Sequence, residues 1–560
     1  MKRLLWVVLL MLTVSCNMDD ETQKFAPEVD FAESAYSLKV GGSITLQPTV
    51  ANIDGGAKYE WREGSTLLAT TLSYTYVATK KGTFYLSFTA TNEMGSDTEE
   101  VRIEVDEVRP PVIGFATEGS IMTLEAGVSN AIVPDIFSPT EYTLEWLLDG
   151  NSVSTEPHFT KSFATSGSHN LTLRATNEDG TTERSLTLEV VAAAEGRIYM
   201  PAERHTTLGR TLYIDAAAVG FSSPTYAWSI AGNVVATTPI FAYTGAEEGT
   251  QEVKLEVSDS KGRHVSRTIP IHTHPAEGHY KREATAQSRA TVSKVFEYSP
   301  APGQFINESK SGFGTITTAA EAAVYAEGRL SEQKYLSLGG WGGYIVAGFD
   351  HSVECGSGEG YDFSITGNMY TTSSEPGIVF VMQDSNGNGL PDDEWYELKG
   401  SEWGKQSYTA HYAVTYYRSV AAGMGVLWRD CNHRQGLITR NATHTHDYYY
   451  PLWLTADSYT LYGPMLAPNS EVNSSGIYAD KPYSWGYADN LGSDRDQGGN
   501  DEATALKNYF KIANAINADG SPAGLKYIDF VKVQCAINYV SGPNGEISTD
   551  VLAITDERLK

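Results

Sequence analysis

Cysteine is scarce in this chain: four residues among 560, at positions 16, 355, 431 and 535. So few cannot form a disulfide scaffold, which needs several bridges in a short domain. Basic residues are the minority charge, 41 Lys and Arg against 69 Asp and Glu, for a formal net charge of −28. That surface repels polyanions, which excludes nucleic acid as an expected partner and disfavours adhesion to anionic lipid headgroups. After residue 15 no apolar run is long enough to cross a bilayer as a helix. Catalytic signatures are missing too: there is no H-E-x-x-H, G-x-S-x-G, P-loop or Cys-x-x-Cys. Asp350-His351-Ser352 has the letters of a triad, but strand neighbours point to opposite faces and do not relay a proton along the chain. The chain is therefore read as a non-enzyme.

What is present begins at the N-terminus. Lys2 and Arg3 precede an apolar run over residues 4–12, the size of a signal-peptide core, so residues 1–15 are expected to be a signal peptide. Ser15-Cys16 resembles the lipobox of bacterial lipoproteins, which implies cleavage before Cys16 and acylation of that cysteine. Several acyl chains anchor a protein stably, whereas one gives only marginal membrane binding. Asn17-Met18-Asp19-Asp20-Glu21 resembles the acidic export tag of surface lipoproteins in gut Bacteroidetes. Residues 16–27 are accordingly read as an acidic tether, and the protein as an outer-membrane lipoprotein exposed on the cell surface.

The next 250 residues, roughly, repeat themselves. Trp61, Trp146 and Trp228 are each followed by a glycine, Gly95, Gly180 and Gly262, at the same interval. Thr91-Asn92-Glu93-Met94-Gly95 and Thr176-Asn177-Glu178-Asp179-Gly180 nearly coincide, and both follow alternating strand text. A repeat of 80–85 residues with a central Trp predicts a β-sandwich with the Trp as core filler. The units, residues 28–107, 108–193 and 194–275, resemble PKD-type immunoglobulin-like repeats. No exposed aromatic trio or metal cluster recurs in them, so they are expected to act as a spacer. Residues 276–292 read as a polar linker.

Residues 293–560 have a different texture, with short alternating strands punctuated by glycine and one expected helix over residues 502–513. The expected fold is all-β: three tandem sandwiches followed by a larger jelly-roll-like β-sandwich. Residues 384–394 place oxygen side chains at Asp384, Asn386, Asn388 and Asp392, with Gly389 at the turn, as at the start of a calcium loop. The Leu390 carbonyl and one further acid, Glu394 or else Asp393 or Glu397, are expected to complete a structural calcium site, because Trp395 occupies the position of the usual bidentate Glu. The other reading is an Asn-Gly turn with its acids facing water.

His444-Thr445-His446-Asp447-Tyr448-Tyr449-Tyr450-Pro451-Leu452-Trp453 concentrates histidine and aromatics. If this segment is extended, His444 and His446 share a side and can share a ligand. The expected ligand-binding set is His444, His446, Tyr448, Tyr449, Tyr450 and Trp453, joined by Trp341 and Trp485. Buried strands also carry such aromatics, so a core role stands beside the ligand role. Trp403 and Trp428 lie elsewhere in the domain. The odd count of Cys355, Cys431 and Cys535 implies at least one free thiol.

Several stretches are familiar together: Tyr298-Ser299-Pro300-Ala301-Pro302-Gly303-Gln304-Phe305, Gly339-Gly340-Trp341-Gly342-Gly343-Tyr344, the 384–394 loop with Trp395-Tyr396-Glu397-Leu398, and Trp485-Gly486-Tyr487-Ala488-Asp489-Asn490. They resemble the BtuH-type vitamin B12-binding surface lipoproteins, across almost the whole C-terminal domain. The resemblance implies non-catalytic capture of cobalamin or another corrinoid and its transfer to a TonB-dependent outer-membrane transporter complex. The corrinoid is then a ligand rather than a cofactor. A glycan-binding lipoprotein is the alternative, and an adhesin or scaffold a third class.

Overall fold

The alternating segments form strands throughout a computed structural model that describes residues 24–53, 56–370, 372–474, 476–496 and 506–559. The expected signal peptide and Cys16 lie outside the described residues. Among the described residues, no helix is long and apolar enough to cross a membrane. The chain divides into two compact units, residues 1–110 and 111–560.

The first unit is one sandwich. Its five-stranded sheet runs Ala35–Lys39, Gly95–Asp106, Gly82–Asn92, Lys58–Glu63, Thr66–Ala69, with the edge strand Ala35–Lys39 parallel to its neighbour and the rest antiparallel. The hairpin joining the two long strands turns at Gly95, whose φ of 152° costs glycine nothing. Trp61 is fully enclosed against Phe88 and Phe31. Its indole N–H donates to the carbonyl of Thr71, ten residues on (3.1 Å).

The same plan occurs twice in the second unit, over Ile121–Glu125 to Gly180–Val191 and over Arg204–Thr207 to His264–His274. Trp146 donates to Glu156 and Trp228 to Thr238, both at 2.9 Å and both ten residues on. In all three repeats the strand pairing slips immediately after the Trp. Such a bulge re-aims the strand, which lets one large side chain close the sandwich.

The C-terminal part is built on a six-stranded antiparallel sheet with Tyr527–Cys535 near its centre, flanked by Tyr344–Glu354 and Gly377–Met382. These three segments are the clean strands of the sequence, now buried on both faces. A three-stranded sheet of Leu506–Phe510, Phe363–Gly367 and Ala553–Asp556 supplies Phe510, Phe363 and Ile554 to the same core. A four-stranded sheet of Gln435–Ile438, Val426–Asp430, Tyr408–Tyr417 and Ser458–Leu466 forms a further layer over Trp341.

The one helix expectation is corrected. Residues 506–510 are a strand with Leu506, Asn508 and Phe510 inward, followed by a short 3-10 turn; residues 502–505 lie outside the described residues. Among the described residues the α-helix is instead Ala319–Ser331, started by Thr318, whose hydroxyl accepts the Glu321 N–H, while the Glu321 carboxylate accepts the Thr317 N–H. It buries Ala322, Ala326 and Leu330 against the core.

The spacer expectation is also corrected for the second and third repeats, which dock on the C-terminal sheets. At the second repeat, the Gln435 side chain accepts the Val133 N–H and Arg429 donates to the Thr123 carbonyl. Between the second and third repeats, Glu125, 3% exposed, holds both Arg263 and Lys261. The expected linker is a packed strap: Glu277 pairs with Arg210, and Arg282 with the buried Asp529.

Candidate functional site

Most of the expected ligand walls are core. Trp341, Tyr449 and Tyr450 are each 1% exposed and Trp453 is 7% exposed. The Trp341 ring meets Tyr412 edge-on at 4.7 Å, and Trp453 packs against Tyr298 and Phe313. Their polar atoms are used internally: Tyr449 donates to the His444 carbonyl and Tyr450 to that of Ala456. These four side chains therefore present no face to a ligand, and the core reading holds for them.

Residues 444–453 are not a strand. His444 pairs with Glu308 (2.8 Å) and His446 donates through Nε2 to the Ile306 carbonyl (2.8 Å), so each engages the neighbouring loop. Burial lowers the His446 pKa. Tyr448 is half-buried. Trp485 keeps an exposed edge on a separate hollow of about 220 Å³ beside Tyr361 and Tyr509.

The triad letters do not assemble a triad. His351 lies between Asp350 and Asp556, at 2.7 and 2.9 Å, while the Ser352 hydroxyl donates to Asp529. Cys355, Cys431 and Cys535 are all free thiols.

The 384–394 loop closes around its own acids. The two Asp384 oxygens accept the N–H groups of Gly387 and Gly389, and the amides of Asn386 and Asn388 both reach Asp392. The amide oxygens of Asn386 and Asn388 accept the N–H groups of Asn388 and Leu390, so these side chains brace the turn through its own hydrogen bonds. Glu394 does not join them. Its carboxylate takes two hydrogen bonds from Arg204 of the third repeat, at 2.9 and 2.5 Å, so its expected metal role is corrected. Ser385 donates twice to Asp393, which turns away from the loop toward the third repeat.

A concave surface lies along this docking seam. Strand Tyr408–Tyr417 sends Tyr412, Val414 and Tyr416 into the core and turns His411, Ala413, Thr415 and Tyr417 toward the repeats. The result is a cleft of about 530 Å³. Tyr199 and Tyr213 of the third repeat line one side, with Phe380, Trp395, Trp403 and Tyr462 of the C-terminal part opposite. Tyr199 stacks on Tyr462 at 4.6 Å with the rings 6° from parallel. His411 sits between the Tyr462 hydroxyl (2.5 Å) and Asp215 (3.0 Å). Burial, the largest influence, would raise the Asp215 pKa, but the hydrogen bond and charge of His411, with the Ala217 N–H and the Arg204 charge, together lower the carboxyl. Glu397, accepting from the Tyr408 hydroxyl (2.6 Å), is pushed up to about 7 by burial. A second hollow of about 430 Å³ continues along the seam beside Arg197, Tyr417 and Arg429.

Sequence reasoning missed this cleft because its walls come from four distant segments. The only signal was an aromatic excess, including Trp395 after the acidic loop and Trp403.

Comparison with known proteins defines a class at the level of domains. Residues 27–92 match a PKD-like domain and residues 110–190 a PKD domain. No curated protein matches the chain. Similar solved structures include the I-band fragment I67-I69 from titin, at 16% identity over 45% of this chain and 99% of that one, with a TM-score of 0.24. They also include Sidekick-1 immunoglobulin domains 1-5, at 15% identity over 46% of this chain and 61% of that one, with a TM-score of 0.25. Fibronectin(III)-like modules of Clostridium thermocellum CbhA match at 16% identity over 29% of this chain and 93% of that one, with a TM-score of 0.18.

Proposed function

We propose that the chain is a surface lipoprotein that binds cobalamin or a related corrinoid without transforming it and feeds a TonB-dependent outer-membrane transporter. The observation that carries this reading is the aromatic cleft along the seam of the third repeat and the C-terminal sheets. A corrinoid is a broad apolar ring rimmed by amides. Stacked tyrosines and Trp403 supply walls for the ring, and Asn517, Lys405 and the half-buried Glu397 supply polar groups for the rim. Calcium in the 384–392 loop belongs to this reading as a structural ion that stiffens the segment leading into Trp395. Cys16 is the proposed anchor.

The test is incubation of the full chain with cobalamin, desalting and a visible spectrum. Co-elution is expected, with Trp403→Ala and Tyr213→Ala each weakening it by about 1.5–3 kcal/mol, the worth of one large aromatic against an apolar ring. If cobalamin and cobinamide both pass through while a polysaccharide retards the chain in an affinity gel, a glycan replaces the corrinoid. The PKD-type repeats support a second reading, adhesion or scaffolding. Retention of neither ligand selects it.

A further inference from the structure

The third repeat ends in two histidines two residues apart, His272 and His274, on one face of the strand His264–His274. Its edge strand Arg204–Thr207 runs parallel to that strand, with His205 opposite His272 and Thr207 opposite His274. Docking brings Asp393 of the acidic loop onto the same spot. His205 Nδ1 lies 2.9 Å from His274 Nε2 and 3.5 Å from Asp393 Oδ1, and His274 Nε2 lies 4.0 Å from that same oxygen. Among the described residues, no other trio of His, Cys, Asp or Glu brings one ligand atom each within 4.8 Å of the others.

We propose that His205, His274 and Asp393 bind a divalent transition-metal ion of the zinc class, which clips the third repeat to the C-terminal part. A tetrahedral ion with bonds of about 2.0–2.1 Å holds its ligand atoms about 3.4 Å apart, and the three separations here bracket that value. Two imidazole nitrogens and one carboxylate oxygen form a donor set for zinc; calcium takes oxygen ligands. Burial argues in the same direction. His205 is 6% exposed and the Asp393 side chain 1%. Two imidazoles facing each other share a single proton, whereas an ion uses both lone pairs and the carboxylate at once. The Asp393 carboxylate is oriented from behind by the Ser385 N–H (2.9 Å) and hydroxyl (2.5 Å), the outer support that metal-binding carboxylates have. Glu203 stands beside His205 and His272, at 3.9 and 3.2 Å, and adds negative charge to the site. The ion is distinct from the calcium proposed for the adjacent turn, whose ligands are Asp384, Asn386, Asn388 and Asp392.

The test uses the full chain, purified without a histidine tag and stripped with a chelator, then titrated with zinc by calorimetry and with cobalt(II) by visible absorption. One zinc per chain is expected at about 10 µM or tighter, with a cobalt spectrum of the intense four-coordinate type. His274→Gln and Asp393→Asn should each weaken zinc by at least about tenfold, while His444→Ala leaves it unchanged. Circular dichroism establishes that each variant is folded. Unchanged affinity in a folded His274→Gln or Asp393→Asn chain overturns the proposal. So does a wild-type chain with no saturable zinc site in that range, or with only the weak cobalt absorption of six-coordinate sites, and these two results do not depend on any variant folding.

Discussion

The first and third repeats place the same strand at the same sheet edge and use it oppositely. By strand register, Tyr36, Met122 and Arg204 occupy one position, facing Ile103, Leu188 and Ile271, and Ser37, Thr123 and His205 occupy the next. In the first repeat the edge strand is exposed or half-buried along its length; in the third all four residues are buried. Where the first repeat has a solvated serine, the third has a histidine enclosed against the C-terminal part. The sandwich core is the same in both, so the difference lies in what the edge was made to meet. An exposed edge strand can pair with another chain, and covering it with protein removes that liability. A PKD-type core therefore does not by itself make a spacer; the chemistry of its edge decides.

The largest effect that sharpens this contrast is in the shared core. Trp61→Ala and Trp228→Ala each remove an enclosed indole and orphan a carbonyl ten residues on, at roughly 3–5 kcal/mol. Trp61→Ala should lower the melting of the first unit alone. Trp228→Ala should lower that of residues 111–560 as one transition, because its repeat is docked there. If limited proteolysis of Trp228→Ala releases the third repeat while the C-terminal melt is unchanged, docking contributes little and the contrast collapses.

The repeats were legible because their signal is local. A Trp, an interval and an Asn-Gly hairpin recur, and each acts within one sandwich. The central strands were legible for the same reason, since Tyr527–Cys535 and its neighbours are continuous apolar runs. Docking was not, because Arg204 and Glu394, or His205 and Asp393, lie nearly two hundred residues apart and nothing in their local text pairs them. The His444–Trp453 segment misled for a related cause: dense aromatics mark a large buried surface as readily as a ligand. The helix at Ala319–Ser331 was missed, although Thr318 and Glu321 stand as a capping pair beside an alanine-rich stretch. The strand Leu506–Phe510 was misread because Leu and Lys are good helix formers, and its period-two burial overrode that propensity.

Next in size is the seam itself. Arg204 is 7% exposed and its fork meets Glu394 with two hydrogen bonds. Burial, the largest influence, would lower the guanidinium pKa, but the charge and hydrogen bonds of Glu394, with Tyr396 and Asp215 nearby, together raise it. Arg204→Ala leaves a half-buried carboxylate without its partner and should cost about 3 kcal/mol in chemical denaturation of residues 111–560. Replacing both partners, Arg204→Met with Glu394→Met, should recover most of that loss. Tyr36→Ala, at the matching position of the first repeat, removes only half-buried area and should cost under about 1.5 kcal/mol. Equal losses for Arg204→Ala and Tyr36→Ala would mean that the edge is not what separates the two repeats.

The smallest expected effect concerns pH. Among the described residues of the first unit no acid is buried, whereas the C-terminal part encloses Asp489 and Asp550 side by side. Asp489 accepts the N–H groups of Asn368 and Asp550, and the Asp550 carboxylate accepts from the Asn368 amide. Burial pushes Asp489 up to about 7, and burial followed by the Asp489 charge holds Asp550 well above the usual carboxylate range. The folded protein thus keeps protons that the unfolded chain releases. The sign follows: the stabilisation is full below the unfolded value near 4 and is lost as pH rises toward and through 7. Half-buried histidines such as His446, whose pKa desolvation lowers, act in the opposite sense, so the clean measurement is a difference. Asp550→Asn removes one of the two competing carboxyls and should flatten the decline in stability between pH 4 and 7 by about 2 kcal/mol relative to wild type. The first unit should show neither the decline nor the rescue. A wild-type profile for residues 111–560 that parallels Asp550→Asn across this window would place both carboxyls in contact with solvent.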